Sequence, residues 1–243
     1  MDRSREVRVH TSLLADVERR CLVWMAQRLP AGITSDHLTL LGAIGTLGSG
    51  ACYAVAPTYP AALWGAVGML VLNWFGDSLD GTVARVRHHE RPRYGFYVDH
   101  VLDALGVLFL VAGLVLGGFM SLPVGAGFLI AYYLLANEIA LATHALGVFR
   151  ISYWKVGPTE LRILLAIGTL VLLRSPHAHV FGTPLLLFDI GGVAGIVALL
   201  VTFLVSAAQN TRALFEAEPL PARNRRSAPP AGPQARTTAL GRS

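Results

Sequence analysis

Two short polar segments interrupt long apolar stretches of this sequence, and together they carry four aspartates. The first segment contains Asp77 and Asp80, and the second contains Asp99 and Asp103. Ionisable side chains inside membrane-spanning stretches are costly and usually serve a function. Four unpaired carboxylates close together would repel one another, and divalent cations would relieve that repulsion. The residue types therefore predict a site that binds metal ions beside a phosphate-bearing substrate.

The spacing predicts that each segment presents its polar and small residues on one helix face. Residues three or four apart share a face: Asp77, Asp80, Gly81 and Ala84 in the first segment, and Gly95, Asp99 and Asp103 in the second. If the two helices are neighbours, the carboxylates converge. Oxygen ligands favour Mg²⁺, Mn²⁺ or Ca²⁺ over Zn²⁺, and two ions about 3.5–4 Å apart could contact both the attacking and leaving oxygens of a phosphoryl displacement.

Other residues in the first segment suit a phosphate-bearing ligand. Gly81 and Ala84 would leave room for a flat or bulky group, and Arg85 is placed to meet a phosphate. A charge network that only orients helices is the alternative, but it explains neither the small residues nor the clustering on two helices.

The composition predicts an all-α integral membrane protein. Hydrophobic residues make up 53% of the chain and charged residues 14%, against about 25% charged in soluble proteins. A span takes about 20 residues, and six apolar segments qualify, near 38–56, 61–80, 98–119, 123–148, 160–175 and 185–208. With six spans, all 20 Lys and Arg residues except Arg174 lie on the side of both termini, which the positive-inside rule assigns to the cytoplasm.

The chain is expected to have three regions. Residues 1–36 form an amphipathic interfacial helix and the segment leading into the first span, 37–210 form the six-helix domain, and 211–243 form a disordered basic cytoplasmic tail. Packing of the first helix on the protein explains its pattern equally well. Glycines cluster in the spans, and small residues four apart favour close helix packing and leave a homodimer open: Gly42, Gly45 and Gly48, Gly113 and Gly117, and Gly191 and Gly195. Membrane lipids are expected partners, and nucleic acid is not.

The two polar segments resemble the signature of the CDP-alcohol phosphotransferase family, D-x2-D-G-x2-A-R followed by G-x3-D-x3-D. All eight fixed residues are present: Asp77, Asp80, Gly81, Ala84, Arg85, Gly95, Asp99 and Asp103. The spacer between the two halves, residues 86–94, is one residue longer than is usual in the family. We expect a bulge there that leaves the aspartate registers unchanged. The six-span layout extends the resemblance to most of residues 10–210.

The resemblance implies an enzyme that transfers a substituted phosphate from a CDP-linked alcohol to a hydroxyl acceptor and releases CMP. Asp77, Asp80 and Asp99 would bind the metal, Mg²⁺ or Mn²⁺, and two ions are expected. Asp103 would also approach a metal and would act as the general base on the acceptor hydroxyl.

The resemblance assigns the nucleotide to two groups of residues. The first lies among the aspartates and comprises Gly81, Ala84, Arg85 and Gly95. The second precedes the first span, in a segment that closes over the nucleotide in relatives, and comprises Thr34, Ser35, Asp36 and His37. Taken alone, this segment predicts a helix start capped by Thr34 or Ser35.

The choice of substrates divides two branches of the family. The short six-span layout resembles the microbial branch, which implies CDP-diacylglycerol as donor, phospholipid synthesis, and a bacterial cell-membrane protein with its site at the cytoplasmic face. The run at residues 157–160, Gly-Pro-Thr-Glu, resembles the eukaryotic aminoalcohol branch. A CDP-aminoalcohol donor with diacylglycerol as acceptor therefore remains open. The acceptor is unassigned, as are the roles of Glu138, His144, Glu160 and Arg162.

Two other classes of protein use intramembrane aspartates. Intramembrane prenyltransferases show N-x3-D-x3-D, and Asn73 does precede Asp77 by four residues, but the next aspartate, Asp80, follows after only two intervening residues. An ion-coupled transporter would be expected to show an internal repeat and midplane charges, which this sequence lacks. The phosphotransferase interpretation is preferred.

Overall fold

The computed structural model describes residues 15–146, 158–180 and 182–218. Within these ranges the chain forms seven helices: α1 (Ala15–Arg28), α2 (Ser35–Val55), α3 (Ala62–Val86), α4 (Pro92–Leu116), α5 (Leu122–Leu146), α6 (Pro158–Leu172) and α7 (Leu187–Ala217). Two short strands, β1 (His177–Val180) and β2 (Thr183–Leu186), form an antiparallel hairpin between α6 and α7. The first 14 residues and those from 219 onward lie outside the described residues, so the expected tail stays a prediction from residue 219 onward, whereas residues 211–217 form the end of α7.

The expected all-α membrane fold is confirmed in its class. Four helices, α2, α4, α5 and α7, are long and apolar enough to cross a membrane. Helix α3 carries the charged motif, and α6 has 15 residues, which extend about 22 Å against a hydrocarbon core of about 30 Å. Membrane crossing by α3 and α6, and the side on which the termini lie, stay predictions.

The last predicted span, near 185–208, corresponds to α7, which begins at Leu187, and the first two residues of the predicted span belong to β2. Gly182 has a φ of +81°, which glycine adopts without strain, and the chain after it pairs Leu185 with Ala178. A short apolar strand and the first turn of an apolar helix cannot be told apart by hydropathy.

Helix α2 is central, because both α3 and α4 pack extensively on it. A Cβ on Gly76 would lie 2.4 Å from the backbone nitrogen of Gly42, and one on Gly113 would lie 2.1 Å from the carbonyl oxygen of Gly50. Such distances show that the helix backbones are in direct contact at these glycines, as expected in membrane helices. The predicted packing role is confirmed at Gly42 and Gly113, whereas Gly191 adjoins open space.

Helix α1 packs on the protein by one face and is exposed on the other. Leu22 is buried in a cluster with Leu79 of α3. On the outer face Trp24 is 55% exposed, and the Arg28 guanidinium lies 4.2 Å from the centre of its ring. Packing on the protein is thus confirmed, and contact of the outer face with the membrane interface stays a prediction.

Candidate functional site

The four signature aspartates lie on either side of the loop that joins α3 to α4. Asp77 and Asp80 are in the last turns of α3, and Asp99 and Asp103 are in the first half of α4. Because α3 and α4 both pack extensively on α2, this helix positions the two polar segments relative to each other.

Asp80 is the most enclosed of the four, with only 8% of its surface exposed. Its Oδ2 accepts a hydrogen bond from the Thr39 hydroxyl at 2.7 Å, and its Oδ1 accepts one from the backbone N–H of Gly81. The Ser35 hydroxyl donates to the Asp80 carbonyl oxygen at 3.0 Å. The first turn of α2 therefore orients this carboxylate. Sequence reasoning missed Thr39, whose only signal is its position four residues after Ser35.

Asp77 pairs with an arginine that the sequence analysis left unassigned. Arg162, from α6, donates through Nη2 to Asp77 Oδ2 and through Nε to Asn73 Oδ1 at 2.6 Å. Asn73 in turn donates to the Gly42 carbonyl oxygen at 2.9 Å. One guanidinium thus links α6 to two consecutive turns of α3 at the aspartate site.

The predicted nucleotide-binding residues of the signature lie beside the aspartates. The Arg85 guanidinium donates to the Thr82 hydroxyl at 3.1 Å and lies against Gly81, where a Cβ would be 3.2 Å from its Nη1. Ala84 is half-buried, and a Cβ on Gly95 would meet nothing within 4 Å. Open space at Gly95 suits a ligand, but the assignment of these residues to a nucleotide stays a prediction.

The segment before α2 is ordered by a helix cap, as the sequence predicts. Thr34 is the N-cap: its hydroxyl accepts from the His37 backbone N–H at 3.4 Å, and His37 Nδ1 accepts from the Thr34 backbone N–H at 3.1 Å. Asp36 forms an ion pair with Arg91, and this hydrogen bond raises the pKa of the Arg91 guanidinium. The proposed contact of this segment with nucleotide is untested.

Arg87, at the end of α3, fixes the connector between α1 and α2. Its guanidinium donates to four backbone carbonyl oxygens, those of Leu29 at 2.9 Å, Pro30 at 3.1 Å, Ala31 at 3.4 Å and Ile33 at 2.5 Å. A guanidinium has five N–H donors in a planar fork that suits such a cluster. Sequence reasoning missed it because every residue type has a carbonyl, so the partners leave no pattern.

The longer spacer is accommodated in the loop between the helices. Helix α3 ends at Val86, and His88 adopts a φ of +56°, a left-handed conformation that ends helices. The backbone N–H of His89 donates to the Ala84 carbonyl oxygen at 2.9 Å, and α4 starts at Pro92. Each aspartate pair lies within one continuous helix, so the expected register is confirmed.

The donor set fits divalent metal ions. Four carboxylates supply the hard oxygen ligands that Mg²⁺ and Mn²⁺ prefer. A cation, Arg162, pairs with Asp77. Among the described residues, no group of three Asp, Glu, His or Cys side chains is placed to hold a metal in this conformation.

Two further polar clusters connect helices outside the signature. Glu138 of α5 accepts from the Ser206 hydroxyl and the Asn210 amide of α7, both at 2.7 Å, beside a cavity of about 210 Å³. Glu18 Oε1 accepts from Trp74 Nε1 at 2.9 Å and from the Thr159 hydroxyl at 2.6 Å. Glu138, whose role the sequence leaves unassigned, thus forms hydrogen bonds between α5 and α7.

Comparisons with known proteins agree with the signature. The family model described as CDP-alcohol phosphatidyltransferase matches residues 33–207. The archaetidylinositol phosphate synthase of Methanothermobacter thermautotrophicus is 31% identical over 121 residues, covering 48% of this chain and 58% of the relative. The chain thus spans less than two thirds of the length of this curated relative.

A solved structure shares the fold. It is the phosphatidylinositol phosphate synthase of Mycobacterium tuberculosis, whose structure has CDP-DAG bound. The TM-score is 0.55 at 19% sequence identity, and the match covers 81% of this chain and 94% of that chain. At this identity the likeness concerns the fold alone.

Proposed function

Because the chain belongs to the CDP-alcohol phosphatidyltransferase family, we propose that it transfers a phosphatidyl group from CDP-diacylglycerol to an alcohol acceptor and releases CMP. The observation that carries this proposal is the complete signature, whose two aspartate pairs lie on α3 and α4, the two helices that pack extensively on α2. The donor is further supported by the CDP-DAG bound to the structural relative from Mycobacterium tuberculosis.

The reaction is a substitution at the phosphorus that bears diacylglycerol. The acceptor hydroxyl oxygen forms a new bond to this phosphorus, and the bond to the bridging oxygen of the diphosphate breaks. CMP leaves with that oxygen and its electron pair. The hydroxyl proton passes to Asp103, which we propose as the general base.

The remaining signature residues bind and orient the donor. Asp77, Asp80 and Asp99 would hold Mg²⁺ or Mn²⁺, with Asp103 also near a metal, and the ions would neutralise the diphosphate charge as CMP departs. Thr39 and the Gly81 backbone N–H orient Asp80 for this purpose. Arg85 would steady the phosphates, and Gly81, Ala84 and Gly95 would line the cytidine.

The proposed topology has six spans, α2 to α7, with both termini and the site on the cytoplasmic face of a bacterial cell membrane. The division into an interfacial region (1–36), a catalytic domain (37–210) and a basic tail (211–243) follows from it. The distribution of Lys and Arg supports this orientation. A homodimer remains a further proposal.

A CDP-aminoalcohol donor is the second candidate, favoured by the Gly-Pro-Thr-Glu run at residues 157–160. In this alternative, phosphocholine or phosphoethanolamine would pass to diacylglycerol at the same site. The two candidates require different donors but release the same product, CMP, so a single assay separates them.

The function is tested by measuring CMP release from the purified chain in lipid nanodiscs. CDP-diacylglycerol is supplied with a panel of acceptors that includes an inositol phosphate, glycerol phosphate, inositol and serine, and CDP-choline is supplied with diacylglycerol. We expect release with CDP-diacylglycerol and one acceptor, dependent on Mg²⁺ or Mn²⁺ and abolished by chelation. Absence of metal-dependent release with every pair would contradict the proposed function.

Replacing Arg87 with Met should weaken donor binding more than turnover. The four carbonyl contacts that fix the α1–α2 connector would be lost, so the segment proposed to close over the nucleotide would be less well positioned. We expect the KM for the donor to rise about tenfold with kcat within about twofold, the pattern of lost ground-state binding. The control is Arg93→Met, which removes an exposed positive charge nearby; equal effects of both changes would argue against a positioning role.

A further inference from the structure

We propose that Arg162 is the resident cation of the aspartate site and that a divalent metal ion displaces it from Asp77. This inference rests on the proposed function, since it takes Asp77 to be a metal ligand. It assigns to α6, which carries none of the signature, a direct part in controlling metal binding.

The geometry of Arg162 is that of a counter-ion in fixed surroundings. Its Nη2 donates to Asp77 Oδ2 while its Nε donates to Asn73 Oδ1 at 2.6 Å. Asn73 is itself anchored to the Gly42 carbonyl oxygen at 2.9 Å. The Arg162 side chain is only 16% exposed, against 37% for Asp77, so the pair is largely shielded from solvent at the guanidinium.

Arg162 places a positive charge directly against Asp77. A positive charge beside one carboxylate of a group offsets the repulsion among them, and a bound divalent ion would do the same.

The arginine and the metal compete for the same carboxylate. Asp77 Oδ2 is engaged by a charge-assisted hydrogen bond, and a divalent ion beside the guanidinium would be repelled by a like charge. In the structure Arg162 occupies Asp77 Oδ2, so a metal ion that takes this oxygen as a ligand must release the arginine from it.

The test measures Mn²⁺ binding to wild type and to Arg162→Met. Binding is monitored through the electron paramagnetic resonance signal of free Mn²⁺. Removing the competitor should lower the half-saturating Mn²⁺ concentration about tenfold. With a chelator present, the variant should unfold at a lower temperature than wild type, because the carboxylates lose their cation. Saturating Mn²⁺ should reduce this difference in unfolding temperature. A purely structural link between α3 and α6 predicts lower stability at every Mn²⁺ concentration and unchanged affinity. That result would overturn the proposal.

Two further variants make the result specific. Arg162→Lys keeps the positive charge but cannot contact Asp77 and Asn73 with one planar fork, so its half-saturation should lie between those of wild type and Arg162→Met. If Arg162→Met does not fold, Arg162→Lys provides the test. A Mn²⁺ affinity of Arg162→Lys equal to or weaker than that of wild type would overturn the proposal. Arg212→Met removes the arginine of an exposed pair with Glu216 and should leave Mn²⁺ binding unchanged.

CMP release separates this inference from the proposed function. If wild type turns over with metal but neither Arg162 variant binds Mn²⁺ more tightly, the exchange is wrong and the function stands. If wild type neither binds Mn²⁺ nor releases CMP from any donor, the proposed function is wrong, and the exchange is wrong with it.

Discussion

Asp103→Asn should reduce CMP release by at least about 1,000-fold, since a general base contributes roughly 10²–10⁴-fold and this residue is also proposed to approach a metal. Asparagine has nearly the same shape but cannot accept the proton of the acceptor hydroxyl. Donor binding should change by no more than about threefold, because most of the proposed contacts to the nucleotide lie elsewhere. Initial rates of CMP release and equilibrium binding of CDP-diacylglycerol measure the two effects separately.

Asp189→Asn is the matched control for Asp103→Asn. Asp189 lies in the first turn of α7, where its Oδ1 accepts the backbone N–H of Ser121 at 2.7 Å. Asparagine can keep that hydrogen bond, so activity should stay within about twofold of wild type. Wild-type turnover in Asp103→Asn would remove the proposed base. Loss of both donor binding and turnover would instead indicate that Asp103 acts primarily as a metal ligand.

Residue type and spacing predicted that each aspartate pair lies within one helix, because that information is local. Asp77 and Asp80 share a face of one helix, and Asp99 and Asp103 share a face of the next, whatever the rest of the chain does. Whether the two pairs come together depends on how α3 and α4 pack, and spacing alone does not determine that packing. Gly42 and Gly113 indicated close helix contacts, but a small residue does not identify the helix that packs against it. The central position of α2 therefore could not be predicted.

Partners distant in sequence were beyond prediction from pattern. Arg162 and Asp77 are 85 residues apart, and no periodicity connects α6 to α3. The contacts of Arg87 are with backbone carbonyls, which every residue carries. The hairpin of β1 and β2 was not predicted, because each strand has only four residues and the last two residues of β2 continue the apolar run of the next span.

Gly76→Ala should strongly destabilise the protein, because the added methyl group has no space. A Cβ at this position would lie 2.4 Å from the Gly42 nitrogen and 2.5 Å from the Leu38 carbonyl oxygen. Both atoms are backbone, so relief requires α2 and α3 to move apart. Overpacking of this kind costs about 3 kcal/mol, or roughly 6–12 °C in Tm for a chain of this size. Thermal unfolding in detergent, with size exclusion to count folded protein, measures the effect.

The same separation should abolish most activity, because α2 orients Asp80 through Thr39 over a single hydrogen bond of 2.7 Å. Gly68→Ala provides the contrast on the same helix, since a Cβ on Gly68 would meet nothing within 4 Å. Replacing a flexible glycine with alanine inside a helix stabilises the helix by up to about 1 kcal/mol. The two substitutions are chemically identical and should differ in sign. Equal unfolding temperatures for the two variants would show that α2 and α3 do not meet backbone to backbone beside Asp77, and the arrangement of the carboxylates would then need another support.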